Sequence, residues 1–262
     1  MKNRINRTNR LLAVIPHSSV ARPKEIKKSW LSEDEKIFLY SKTAETDRGT
    51  KELYDFTKIL GNKQLVFPHS QIFINVCRKR QNLNESVPLD IRGERVYKKG
   101  KEPSLKIRKE LIKKYYEPFI NRIEKTKKSL ILNGHSTIAG HGSLDNKKLG
   151  YHILLLNYFI VSGKKKVCAP LKIIKHYAIE LKKRFPNLKI GLNKEYNHGY
   201  ETIGVEFGTD QICEGRKVPV ILQETDESLY MKGDKINYQK LNRLRKAFAS
   251  SLLSTMEKFK LL

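Results

Sequence analysis

Short apolar runs alternate along this chain with stretches of helical periodicity, and that alternation constrains the fold more than any other feature. LLAVIP (11–16), QLVF (64–67), QIFINV (71–76), SLILNGHS (129–136), YHILLLNYFIV (151–161), LKIGL (188–192) and VPVILQE (218–224) read as buried strands. Between them, SEDEKIFLYSKTAE (32–45) opens on Ser32 with Glu35 three residues on, a capping-box spacing that predicts a helix start. GTKELYDFTKIL (49–60) places Leu53, Phe56, Ile59 and Leu60 on one helical face. Residues 105–127 predict a long amphipathic helix kinked at Pro118, and further helices are expected near 170–184 and from Tyr238 to Lys260. Strands alternating with helices imply an α/β fold, a largely parallel or mixed central sheet with helices on both faces. A polar stretch at 79–104, broken by Pro88, Gly93, Gly100 and Pro103, reads as a loop excursion within one domain spanning 1–262.

Such a sheet collects ligands at the carboxyl ends of its strands, and the residues found there carry chemistry. His17 follows the first apolar run, His135 ends another, and Glu224 closes VPVILQE, while Asp47 stands at the entrance to the 49–60 segment. Two imidazoles and a carboxylate around an open position form a common catalytic zinc set, and a second carboxylate can act as general base. His17, Asp47 and His135 are therefore candidate ligands for one Zn2+ ion per chain, with Glu224 the candidate base. Competing readings are plainer: a histidine capping a strand, Asp47 as a helix N-cap, Glu224 as a solvated member of QETDE. No compact His-Glu-x-x-His motif is present.

With 53 Lys and Arg against 27 Asp and Glu, the formal net charge is +26. That field attracts polyanions and acidic small molecules alike. Aromatic residues do not interleave with the basic runs, so nucleic-acid or polyanion binding on a hydrolase-like fold is the rival reading and not the favoured one. Cys77, Cys168 and Cys213 are odd in number and widely separated, which argues against a disulfide framework and for a reducing, cytoplasmic setting. The first apolar run falls short of the roughly 7 to 15 residues of a secretory signal, and none reaches the roughly 18 of a membrane span.

These segments, in this order, resemble the N-formylglutamate amidohydrolase family: IPHSS, ETDRGTKELYDF, YYEPFINRI, LNGHS, LNKEYNHGY and LQETDESLYM each match one of its motifs. The resemblance implies a zinc-dependent amidohydrolase, related in fold to zinc carboxypeptidases, cutting the amide of an N-acyl amino acid, N-formyl among them. It implies His17, Asp47 and His135 at the metal, Glu224 as catalytic carboxylate, and Arg78, Asn193, His198 and Gly199 near a small carboxylate substrate. His141 is an alternative to His135 at the metal. Departures fall on the substrate side: Asn75-Val76-Cys77-Arg78 replaces an Asp-x-Asn-Arg run, and His198-Gly199-Tyr200 replaces Gly-Gly-Tyr. Formylglutamate is thus one candidate substrate among several, and a zinc peptidase or amidase acting on peptide or cell-wall fragments is a further alternative. The sequence leaves the oligomeric state open.

Overall fold

The computed structural model describes residues 9–33, 46–91, 93–137, 150–193, 200–213 and 215–262. The helix expected over 32–45, His141, His198 and Gly199 lie essentially outside them. In chain order the described residues form β1 (Leu11–Ile15), the one-turn helices α1 (Thr50–Leu53) and α2 (Thr57–Leu60), β2 (Lys63–Val66) and α3 (Leu83–Ser86). A two-stranded ribbon, β3 (Asp90–Ile91) and β4 (Glu94–Arg95), precedes α4 (Leu105–Leu111) and α5 (Glu117–Lys125). Then come β5 (Leu130–Thr137), β6 (Ile153–Leu156), β7 (Tyr158–Val161), β8 (Lys164–Val167), α6 (Leu171–Arg184), β9 (Ile190–Leu192) and α7 (Thr202–Phe207). The chain closes with β10 (Val220–Asp226), β11 (Met231–Lys232), β12 (Lys235–Ile236) and α8 (Tyr238–Lys258).

Two compact units result. The first comprises Met1–Ile15, Arg48–Leu65 and Thr126–Leu262; the second comprises Pro16–Asp47 and Val66–Lys125. A six-stranded sheet in the order β2-β1-β5-β10-β6-β9 builds the first. Strands β1, β5 and β10 run parallel, β6 is antiparallel to β10, and β9 is parallel to β6. Every residue of β1 is fully buried, as a strand covered on both faces requires. Helices α6 and α8 flank this sheet: Tyr177 of α6 donates to Gln223 Oε1 at 2.8 Å, and Phe248 of α8 stacks on Tyr54 at 6.1 Å between centroids.

Backbone ties across distant segments hold the second unit together. Leu31 bridges Tyr97, Ser70 N–H donates to Ala21 O at 2.9 Å, and Phe67 meets Phe119 edge to face at 5.2 Å. Buried Arg108 donates to Val87 O and Asn84 Oδ1, anchoring α4 to the excursion that contains α3.

Three sequence expectations need correction. Residues 71–76 are no strand: Ile72, Phe73, Ile74 and Val76 are buried as expected, but the amides of Phe73 and Ile74 turn back to Ser70 O. A short apolar run reports burial without specifying extension. The 49–60 segment is two single turns, because Asp55 Oδ1 takes the Thr57 amide at 3.0 Å and restarts the chain, leaving Ile59 exposed. The apolar stretch 151–161 divides at Asn157 into β6 and β7. At Pro118 the expected kink takes the form of a π turn over Ile112–Tyr116, which joins α4 to α5 just ahead of the residue that cannot donate. No helix of the described residues is long and apolar enough to cross a membrane.

Candidate active site

In the first unit, β5 and β10 set the decisive register. Asn133 pairs with Leu222, Gly134 with Gln223, His135 with Glu224, and Ser136 with Thr225. Side chains alternate along a strand, so Asn133, His135 and Glu224 share one face while Gly134, Gln223 and Thr225 share the other. His135 and Glu224 thus stand side by side near the carboxyl ends of two parallel strands, 5% and 6% exposed. Burying an imidazole beside a carboxylate is costly unless each has a polar task. Glu224 is therefore not the solvated surface charge of the plainer reading. Asn133, two residues before His135 on the same face, is wholly buried, and neither polar atom of its side chain has a hydrogen-bond partner. Such an amide costs about 1–3 kcal/mol unless water or a ligand meets it.

The opposite face holds this edge rigid. Tyr54, fully buried in the LYDF stretch, donates to His135 O at 2.9 Å and exchanges a hydrogen bond with Thr225 Oγ1 at 2.8 Å. Its ring lies against Gly134, where any Cβ would stand 2.5 Å from a ring carbon, so glycine is required between Asn133 and His135. Burial raises the Tyr54 pKa well above the usual phenolic range, which keeps the hydroxyl a donor.

Sequence reasoning missed the ion pair behind this edge. Arg48 donates from Nε and Nη2 to Glu227 Oε2, at 3.0 and 2.7 Å, and from its backbone N–H to Oε1 at 3.0 Å; Ser136 Oγ reaches the same Oε1 at 3.0 Å. Tyr230 OH donates to Arg48 O at 2.8 Å. Burial pushes the Glu227 pKa up and Arg48 opposes it; burial alone would lower Arg48, but its two carboxylate partners reverse this. Nothing periodic links residues 179 positions apart, so no sequence signal could have revealed the pair.

In the second unit, His17 and Asp47 meet. Asp47 N–H donates to His17 O at 3.0 Å, and Asp47 Oδ2 lies 3.8 Å from His17 Nδ1. Both are nearly buried, at 6% and 9% exposure. Asp47 is not the N-cap of α1, since that position belongs to Gly49 in a left-handed conformation. The other ring nitrogen, Nε2, lies 3.3 Å from Asn75 Oδ1, an atom that also accepts the Cys77 amide at 3.0 Å. The Cys77 sulfur and a His17 ring nitrogen are within 4.8 Å of each other. A separation of 3.8 Å is long for a hydrogen bond and close to the ligand spacing around tetrahedral zinc, about 3.4 Å for bonds of about 2.0 to 2.1 Å. An imidazole nitrogen and a carboxylate oxygen so placed fit a divalent ion of zinc's preferences.

Arg78 belongs to the same segment: its amide donates to Asn75 O at 3.3 Å, and its carbonyl accepts from Tyr116 OH at 2.9 Å. Asn193 lies in the first unit, at the end of β9, with a positive φ of 55°. Its side chain donates to Asn157 Oδ1 at 2.8 Å and accepts from Asn157 N–H at 3.0 Å, tying β9 to the turn between β6 and β7. The remaining described histidines serve packing: His152 Nδ1 accepts the Lys189 amide, His176 meets Thr255, and His69 meets Tyr115 edge to face.

An α/β architecture with a mixed six-stranded sheet, flanked by helices and bearing an imidazole–carboxylate pair at its parallel strand ends, defines the structural class. Within it, the chain shares the fold of the N-formylglutamate amidohydrolase from Ralstonia eutropha JMP134, with a TM-score of 0.73, 12% identity, and coverage of 97% of this chain and 94% of that one. A gene product of Agrobacterium tumefaciens is similar too, at a TM-score of 0.67 and 14% identity over 97% of this chain and 94% of its own. No family model and no curated protein matches the sequence.

Proposed function

We propose that the chain is a metal-dependent hydrolase of linear amides, using one zinc ion to cleave an N-acyl amino acid, with N-formyl compounds among its substrates. The observation that carries this reading is the register that sets His135 beside Glu224. Neither packing nor solubility calls for an imidazole and a carboxylate buried on neighbouring strand ends, and acid–base chemistry does. Support comes also from the His17–Asp47 geometry and from the fold shared with an amidohydrolase.

His17, Asp47 and His135 would hold the ion. When bound, zinc polarises a carbonyl and lowers the pKa of water to about 7. Glu224 takes the proton of the attacking water on its carboxylate and returns it to the departing amine. Arg78 offers a guanidinium fork for the substrate carboxylate, and the sequence resemblance assigns Asn193, His198 and Gly199 to substrate recognition as well.

The test joins elemental analysis of the purified chain to a hydrolysis screen over N-formyl and N-acetyl amino acids, peptides and cell-wall fragments. About one zinc per chain is expected, with activity falling about a hundredfold or more in Glu224→Gln while the metal stays bound. Cleavage of peptides alone would move the substrate class. A chain that takes up no metal and cuts no amide would end the reading.

A further inference from the structure

Helix α6 packs Ile173, Ile174, Tyr177 and Leu181 inward and leaves its opposite side exposed. At 3.6 residues per turn, Leu171, Lys172, Lys175, Ile179, Lys182 and Lys183 fall within an arc of about 120°, and all six are exposed. Four are cations and two are aliphatic, Leu171 at 44% and Ile179 at 54% exposure. The one acidic residue of the helix, Glu180, is buried off this arc and pairs with Lys183 and Arg184. Among the described residues, Lys172, Lys175 and Lys182 have no carboxylate within ion-pair distance. Arg243 of α8, 5.1 Å from the centre of the Phe185 ring, adds a cation just past the carboxyl end of α6.

A face that only keeps a protein in solution gains from charges of both signs and nothing from branched aliphatic side chains. This one carries a single sign, in a chain already at +26, and holds two aliphatic side chains about 12 Å apart among the lysines. Nucleic acid would engage the cations, but the arc offers no flat ring for a base to stack on, and its phosphates would leave Leu171 and Ile179 idle. A bilayer with anionic headgroups uses both kinds of side chain: lysine heads meet the headgroups while the aliphatic tips enter the boundary with the acyl chains.

We propose that the outer face of α6 docks the chain on an anionic lipid bilayer, reversibly and without crossing it. Because the main apolar side of α6 is spent on the protein's own core, insertion is shallow and the attraction is chiefly electrostatic. On its inner side Tyr177 reaches Gln223, which lies on the sheet face opposite His135 and Glu224. The docked chain therefore keeps that pair on the side of its sheet turned away from the lipid. This surface is independent of the proposed hydrolysis, and neither reading needs the other.

The test is sedimentation of the full chain with phosphatidylcholine vesicles, with and without about 30% phosphatidylserine, at low and at high salt. Binding is expected only with phosphatidylserine and should weaken steeply as salt rises. Each lysine near such a surface contributes about fivefold to binding, so Lys175→Glu with Lys182→Glu should weaken it by about twenty-five-fold or more. Ile179→Ser should cost about fivefold by removing apolar contact. Lys99→Glu with Lys101→Glu, exposed lysines elsewhere, removes the same charge and should change binding far less. Equal urea midpoints across the variants will show that the fold is kept. Absence of binding, equal binding to the neutral vesicles, an equal loss in the Lys99 and Lys101 variant, or indifference to Ile179→Ser would each overturn the proposal. So would tighter binding of duplex or single-stranded DNA through Lys175 and Lys182, which would assign the face to nucleic acid.

Discussion

Arg48 illustrates how one side chain secures a strand end. It satisfies both oxygens of Glu227, a carboxylate that is 2% exposed, and in doing so ties the entrance of α1 to the segment following β10. Arg48→Met would leave that carboxylate with only the Ser136 hydroxyl and the residue 48 amide. Breaking a buried pair by removing one partner costs about 3 kcal/mol or more, which urea denaturation would detect as a lower midpoint at unchanged slope. Arg48→Met with Glu227→Gln together should recover much of the loss, because the amide needs no counter-charge. Of these contacts the sequence announced nothing, since neither residue lies in a periodic pattern with the other. His17, His135 and Glu224 were legible as candidates for a local reason: each ends or follows an apolar run, where a polar side chain is conspicuous, while Asp47 stood out only at the entrance to the 49–60 segment. Asn75 carried no such mark, and only the fold brings its Oδ1 to 3.3 Å from Nε2 of His17.

Helices and strands were legible in proportion to their length. Over the 14 residues of α6 the apolar period is sustained, and the expected helix and the observed one nearly coincide. Over four residues it is not, and the 49–60 segment broke where Asp55 captured a backbone amide. At the buried flank of α6, Glu180 meets Lys183 and Arg184, and their hydrogen bonds hold its pKa down at about 2 from an ordinary 4.5. A carboxylate whose pKa is depressed on folding contributes stability that is complete above its unfolded value and disappears as pH falls through the folded one. Thermal melts should therefore show a loss between about pH 4.5 and pH 2 that is smaller in Glu180→Gln, and an identical acid profile in that variant would refute the coupling.

At the scale of the whole molecule, the proposed ligands belong to segments far apart in sequence, so if the chain takes up zinc as proposed, binding should stabilise the folded state. Zinc at about a hundredfold over its dissociation constant adds about 2.7 kcal/mol, raising the melting temperature by about 5 to 10 °C. Calorimetry with zinc and then with chelator should show that rise reversed, and His17→Ala should abolish it. The alternation of apolar and amphipathic segments determined by itself that the chain is an α/β protein with a buried, mostly parallel sheet, because burial periodicity is written within a few residues of chain. Only the tertiary structure decided that His135 stands beside Glu224, that Arg48 neutralises Glu227, and that Asn75 faces the ring of His17. Those pairings depend on strand register and on which atom of a side chain faces its neighbour, and no local pattern encodes either.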